Sequence, residues 1–151
     1  LTPAQRRVYE RVRAHFERGE VGVPPPALAS FIAYDESALE SMSVRELLLL
    51  LMDRRRFERA SKIPDAEVRV EEVSAEAIRA RVRDYTIVVD LSDQEILHDC
   101  ADFARVSRAK QFCKHLGKLF LFLPEGRAKE VLKRIYLERD EWAFRPLFSE
   151  E

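Results

Sequence analysis

Asparagine is absent from this chain of 151 residues, and cysteine, methionine and tryptophan are scarce at two, two and one. The missing amide, an excess of arginine over lysine and a charged fraction of 35% suit a hot environment, because amides are thermolabile and ion-pair networks gain value with temperature. Only four glycines are present, and none builds a phosphate-cradling loop. No Ser/His/acid or Cys/His arrangement is separable from the doublets described below, and no acidic pair sits in a catalytic motif; His15 falls near the apolar stripe of a helix. The chain is therefore expected not to be an enzyme. Its longest apolar runs, residues 47–52 and 119–123, are too short to span a bilayer, and no secretion signal opens the sequence. An intracellular protein, cytoplasmic or nucleoid-associated, is expected. Internal repeats and low-complexity segments are absent too.

Net charge of one sign is also missing, with 26 basic against 27 acidic residues, so any binding surface must be local. Residues 1–62 carry 11 basic and 9 acidic groups, residues 63–97 carry 4 and 9, and residues 98–151 carry 11 and 9. An acidic middle separates two mildly basic ends.

The patterning predicts an α+β protein in two parts, 1–63 and 64–151. Thr2-Pro3 reads as a helix start, and Ala4, Val8, Val12 and Phe16 recur at helical spacing until Gly19. After Pro24-Pro25-Pro26, residues 27–34 can form a short second helix. A third begins at Ser43, with Glu46 placed for a capping box, and is expected to run to about Arg56. Residues 57–62 would then turn into a wing. Three helices and a hairpin outline a winged helix-turn-helix, and residues 1–19 resemble the first helix of LexA-type repressor domains. From Asp65 the apolar period becomes two, predicting an antiparallel meander with strands near 67–73, 77–83, 85–91 and 94–100. Helical spacing returns over 114–123, which Pro124-Glu125-Gly126 closes, and again over 127–139, with Val131, Leu132 and Ile135 inward. Trp142, Phe144, Leu147 and Phe148 suggest a tail that docks.

Both cysteines and two of the three histidines fall within eighteen residues, as His98-Asp99-Cys100 and Cys113-Lys114-His115. On a strand end His98 and Cys100 share a face while Asp99 points away. Residues two apart cannot share a face within a helix, so Cys113 must sit just before one and His115 in its first turn. Four protein ligands close a tetrahedral zinc site, and a closed site is structural. Two buried cysteines with incidental histidines is the blander reading, and a Cys100–Cys113 disulfide is disfavoured in an intracellular protein. Structural zinc contributes roughly 10–16 kcal/mol in small fingers, so its loss is expected to unfold this half.

This arrangement resembles the SWIM zinc finger, which reads Cys-x-Cys, a variable loop, then Cys-x-His at a helix start. The preceding Tyr85-Thr86-Ile87-Val88-Val89, the Asp102-Phe103 pair and Phe112-Cys113-Lys114-His115-Leu116 carry the likeness, over residues 66–125. His98 departs from it, occupying the family's first Cys position, although imidazole is a competent zinc ligand. The resemblance implies a ββα zinc module that binds DNA or protein, found in SWI/SNF-type ATPases, MuDR transposases and the SWIM subunit of Shu-type recombination mediators.

Between the doublets Arg105, Arg108 and Lys110 face one acid, Asp102, and Lys114 and Lys118 follow on the helix. With Arg45, Arg54, Arg55 and Arg56 they are candidate phosphate contacts. Phe103 and Phe112 could stack on bases but more often such residues pack a small core. Six apolar residues in a row at 47–52 cover every side of a helix, so Leu49, Leu50 and Met52 are expected to meet a protein partner or second copy. The expected function is thus a non-enzymatic, zinc-containing DNA-binding factor; the setting in repair, recombination or transcription follows from the SWIM resemblance. The alternatives are an adaptor that docks onto a recombinase-like ATPase or self-associates through 47–52, and a nuclease accessory, which would need an open coordination position.

Overall fold

The computed structural model describes residues 34–147. The helices expected over 1–19 and 27–34 lie outside that span but for Tyr34, as does Phe148. Six α-helices and a five-stranded mixed sheet make up an α+β fold.

Asp35 caps α1 (Glu36–Glu40) through the Ala38 N–H, and Ser43 and Glu46 form the expected capping box on α2 (Val44–Leu51). The helix expected to continue to Arg56 stops at Leu51. Met52 is extended, and the Asp53 carboxylate accepts the Arg56 N–H as the cap of a new helix, α3 (Arg54–Ser61). A side chain that satisfies an orphan N–H makes a fresh start as favourable as continuation, so residues 57–61 are helical and not the expected wing.

Strands β1 (Val68–Val73), β2 (Ala77–Val82), β3 (Tyr85–Asp90) and β4 (Glu95–His98) form the antiparallel meander within two residues of the expected bounds. The tail adds a strand the sequence pattern did not reveal, β5 (Ala143–Pro146), parallel to β4. Four residues hold too little alternation to be read, and it is the burial of Trp142 and Phe144 that anchors them, whereas Leu147 is exposed. On the inner face Ile78, Ala80, Val82, Ile87, Val89 and Ile96 are buried, while Arg79 and Arg81 point outward.

Helices α4 (Ala101–Val106), α5 (Lys114–Phe122) and α6 (Glu125–Leu137) complete the described chain. The last starts two residues earlier than expected because Pro124 serves as its N-cap, which places Gly126 in its first turn. Val131, Leu132 and Ile135 are inward, as their spacing requires.

Residues on both sides of the expected 63/64 boundary enter one apolar cluster, with α2 packed on α6 and α3 on α5. Leu47, Leu48, Leu51 and Met52 are all buried there, and Leu49 and Leu50 are half-buried against it. Met52 is thus no partner surface: a Cβ at Gly117 would lie 2.8 Å from its Cε, so the glycine is what admits it. The six-residue apolar run meets its own protein because α2 is wedged between helices. Among the described residues no helix is long and apolar enough to cross a membrane.

Candidate metal centre

Three element ends converge at one end of the sheet. His98 is the last residue of β4, and the chain leaves the strand at once, so Cys100 is the N-cap of α4 and not the strand residue expected. Its sulfur accepts the Phe103 N–H at 3.3 Å. Cys113 is the N-cap of α5 and His115 lies in that helix's first turn, as the i, i+2 spacing required. One ligand atom from each of the four lies within 4.8 Å of all the others, and all four residues are buried.

The donor set fits a metal ion. His98 Nδ1 lies 2.6 Å from the Thr86 carbonyl oxygen, so that nitrogen carries the proton and Nε2 keeps its lone pair. Nε2 of His98 and both ring nitrogens of His115 are buried without a hydrogen-bond partner among the described residues. Leaving such an atom unsatisfied costs about 1–3 kcal/mol, and coordination by a shared ion relieves it. Tetrahedral bonds of about 2.0–2.3 Å require ligand atoms about 3.3–3.8 Å apart, a small contraction of this cluster. Four protein donors fill such a shell.

The two sulfurs are free thiols with opposed acidities. The neighbouring Cys113 thiol above all holds Cys100 well below the usual thiol range, and the nearby His115 and His98 rings add to the shift. Burial above all pushes Cys113 up, and its hydrogen bond to Cys100 adds to the shift. An anionic sulfur is thus already favoured at Cys100, the form in which a thiol ligates.

Aromatic rings wall the cluster. His98 packs edge-on to Phe103 and to His115, and the Tyr85 ring lies 4.6 Å from that of His115, closing the solvent side. Phe103 and Phe112 are fully buried in the core and offer no surface to a base. Two supporting residues have no sequence signature: Thr86, whose carbonyl orients His98, and Asp99, whose Oδ1 accepts the Thr86 N–H at 2.9 Å. Only the position of Asp99 between two ligands hinted at a role.

The candidate phosphate contacts divide into two groups. Arg56 Nε and Nη2 each lie 2.8 Å from an oxygen of Asp102, and its Nη1 lies 2.6 Å from Asp53, so this guanidinium joins α3 to α4. Lys110 donates to the Trp142 carbonyl, and Lys118 is buried with its Nζ 2.5 Å from Asp65. Arg45 lies over the Phe57 ring. Arg56, Lys110 and Lys118 are therefore fold contacts and not free cations, because each has an internal acceptor that outcompetes water. Arg55, Arg105 and Arg108 are exposed and Lys114 is half-buried.

A second carboxylate group, Asp90, Asp93 and Glu95, sits at the β3–β4 turn. Its members are engaged locally, Asp90 with the Asp93 N–H and Glu95 with Arg145. Comparison of the chain with family models, curated proteins and solved structures finds no match.

Proposed function

We propose that His98, Cys100, Cys113 and His115 hold a structural zinc ion in a SWIM-like module, and that this module organises a nucleic-acid-binding face built from α3, α4 and α5. The donor set supports the ion: two thiols, two imidazoles and the Thr86 carbonyl that fixes the His98 ring match the preferences of zinc. With the shell filled by protein the ion supplies no reaction site, which fits a binding protein.

Charge supports the face, and it is the observation that carries the nucleic-acid reading. Residues 53–65 and 101–118 hold ten basic and four acidic groups, a net of +6 in a chain whose total is −1. Arg54, Arg55, Arg59 and Lys62 on one side, and Arg105, Arg108 and Lys114 on the other, make no ion pair or side-chain hydrogen bond among the described residues. By contrast Arg79, Arg81 and Arg145 on the sheet and Arg83 in the β2–β3 turn are paired with glutamates, Arg69 on β1 being the exception among the described residues. Unpaired cations gathered beside a rigid centre are suited to a polyanion, whose affinity would fall with salt as counterions are released.

Zinc-loaded protein titrated with DNA at several salt concentrations tests this reading. Binding that weakens steeply with salt, and is lost in a Cys113→Ser/His115→Ala variant that no longer holds zinc, is the expected result. No binding to single- or double-stranded DNA at low salt would leave the protein-adaptor reading in its place.

A further inference from the structure

The exposed side of α3 carries charges that the fold itself disfavours. At the helical step of about 100° per residue, Arg54, Arg55, Glu58, Arg59 and Lys62 fall within an arc of about 140°. All five are exposed, and the buried Phe57 and Ala60 lie on the opposite side. Arg54 and Arg55 occupy the first turn, where the positive end of the helix dipole repels cations. Arg55 and Arg59 form a like-charged i, i+4 pair, which is destabilising in an isolated helix. Their neighbour Arg56 is compensated by Asp53 and Asp102, but these side chains have no ion partner among the described residues. Four exposed cations against one acid, Glu58, none of them in an ion pair among the described residues, point to an external anion.

We infer that α3 is inserted in the major groove of double-stranded DNA, with Arg54, Arg55 and Arg59 toward the base edges and Arg105 and Arg108 on the flanking phosphates. This rests on the nucleic-acid reading above and adds the class of nucleic acid. A helix about 10–12 Å across fits the major groove, about 12 Å wide, and is excluded from the minor groove, about 6 Å wide. Binding of single strands relies on exposed aromatic platforms, and α3 and α4 offer none, since Phe57 and Phe103 are buried; the exposed Phe122 lies at the far end of α5. Arginine on guanine O6 and N7 is the commonest specific contact in the major groove, so G·C-containing duplex is the favoured ligand. The ion pair from Arg56 to Asp102 holds α3 rigidly to the metal module, which limits the entropy lost on docking.

Zinc-loaded full chain, titrated by fluorescence anisotropy with a duplex and with each of its separated strands over a salt series, tests this. The expected result is duplex binding at least tenfold tighter than either strand. Arg55→Ala/Arg59→Ala should lower duplex affinity at least tenfold and flatten the salt slope, with unchanged zinc content and a melting temperature close to the parent's, because the first-turn repulsion relieved at Arg55 offsets the last-turn cation lost at Arg59. A preference for single strands, or full duplex affinity in that double variant, would overturn the inference. If Arg105→Ala/Arg108→Ala loses binding while the α3 variant keeps it, the nucleic-acid reading stands and the placing of α3 is wrong. If the parent protein binds neither form, the broader reading fails and this one with it.

Discussion

His98 and Thr86 are joined by a hydrogen bond of 2.6 Å from the imidazole Nδ1–H to the backbone carbonyl, and it aims Nε2 at Cys100, Cys113 and His115. The Thr86 backbone is held in turn by Asp99, whose carboxylate accepts the Thr86 N–H from the preceding peptide. A ligand donor fixed from behind in this way binds without first losing rotational freedom. Asp99→Ala should therefore lower zinc affinity by no more than about tenfold, since Asp99 acts on the ligand only through Thr86, while leaving stoichiometry at one ion. Competition with a chromophoric chelator measures it, and unchanged affinity would show that Asp99 serves only the strand end.

The cations separate by role. Removing Arg56 leaves Asp53 and Asp102 without their partner, so Arg56→Ala should lower stability by about 1–3 kcal/mol. Arg105→Ala removes only a minor attraction to Asp102 and should leave stability within about 0.5 kcal/mol while weakening DNA binding and reducing the salt slope by about one. Urea unfolding beside a DNA titration on both variants checks the pair of outcomes. Equal stability losses would contradict the division.

Acid should reveal the Asp53 cap. Its partial burial raises the carboxyl, but the Arg56 N–H and guanidinium more than offset this, so the net value lies below the ordinary 3.8. A depressed carboxyl contributes stability that is present above its unfolded value and is lost as pH falls through the folded one. The effect therefore sets in as pH approaches 3.8 and grows below it, and solvent screening of this half-exposed group keeps it small. Asp53→Asn retains a capping oxygen but not the charge, so it should be slightly less stable than the parent near neutrality, show a shallower loss in the acid limb and converge with the parent there.

Gly117 is a matter of space. A methyl there would meet Met52 Cε at 2.8 Å and Ala60 Cβ, in the last turn of α3, at 3.1 Å. Overpacking of about 1–3 kcal/mol exceeds the gain of about 1 kcal/mol in helix propensity, so Gly117→Ala should be destabilising. Adding Met52→Ala should recover part of the loss, a non-additivity that a double-mutant cycle measures.

The alternating segments from 68 to 98 were legible because each strand buries one face, and the Cys113/His115 placement because helix geometry admits only one solution. What escaped was decided by contacts distant in sequence. The break after Leu51 depends on one carboxylate at Asp53, and β5 on an edge that β4 leaves open 45 residues earlier than Ala143 would suggest from local pattern alone. Arg56 looked like a free cation beside Arg54 and Arg55, and only the approach of Asp102 from α4 distinguishes it. Met52 looked like surplus apolar surface until Gly117 provided room for it. Cys100 was read as a strand residue because alternation continues through it, whereas the N-cap geometry of α4 claims it.

Metal content tests the central claim most directly. Protein purified without added metal and refolded with cobalt should bind one ion per chain and show the intense visible absorption of a tetrahedral site with thiolate-to-cobalt charge transfer, both displaced by stoichiometric zinc. Removal by a chelator should be accompanied by loss of folded structure, since structural zinc supplies roughly 10–16 kcal/mol against a typical domain stability of about 5–15 kcal/mol. A chain that folds with no stoichiometric metal, or with Cys100 and Cys113 joined as a disulfide, would contradict it.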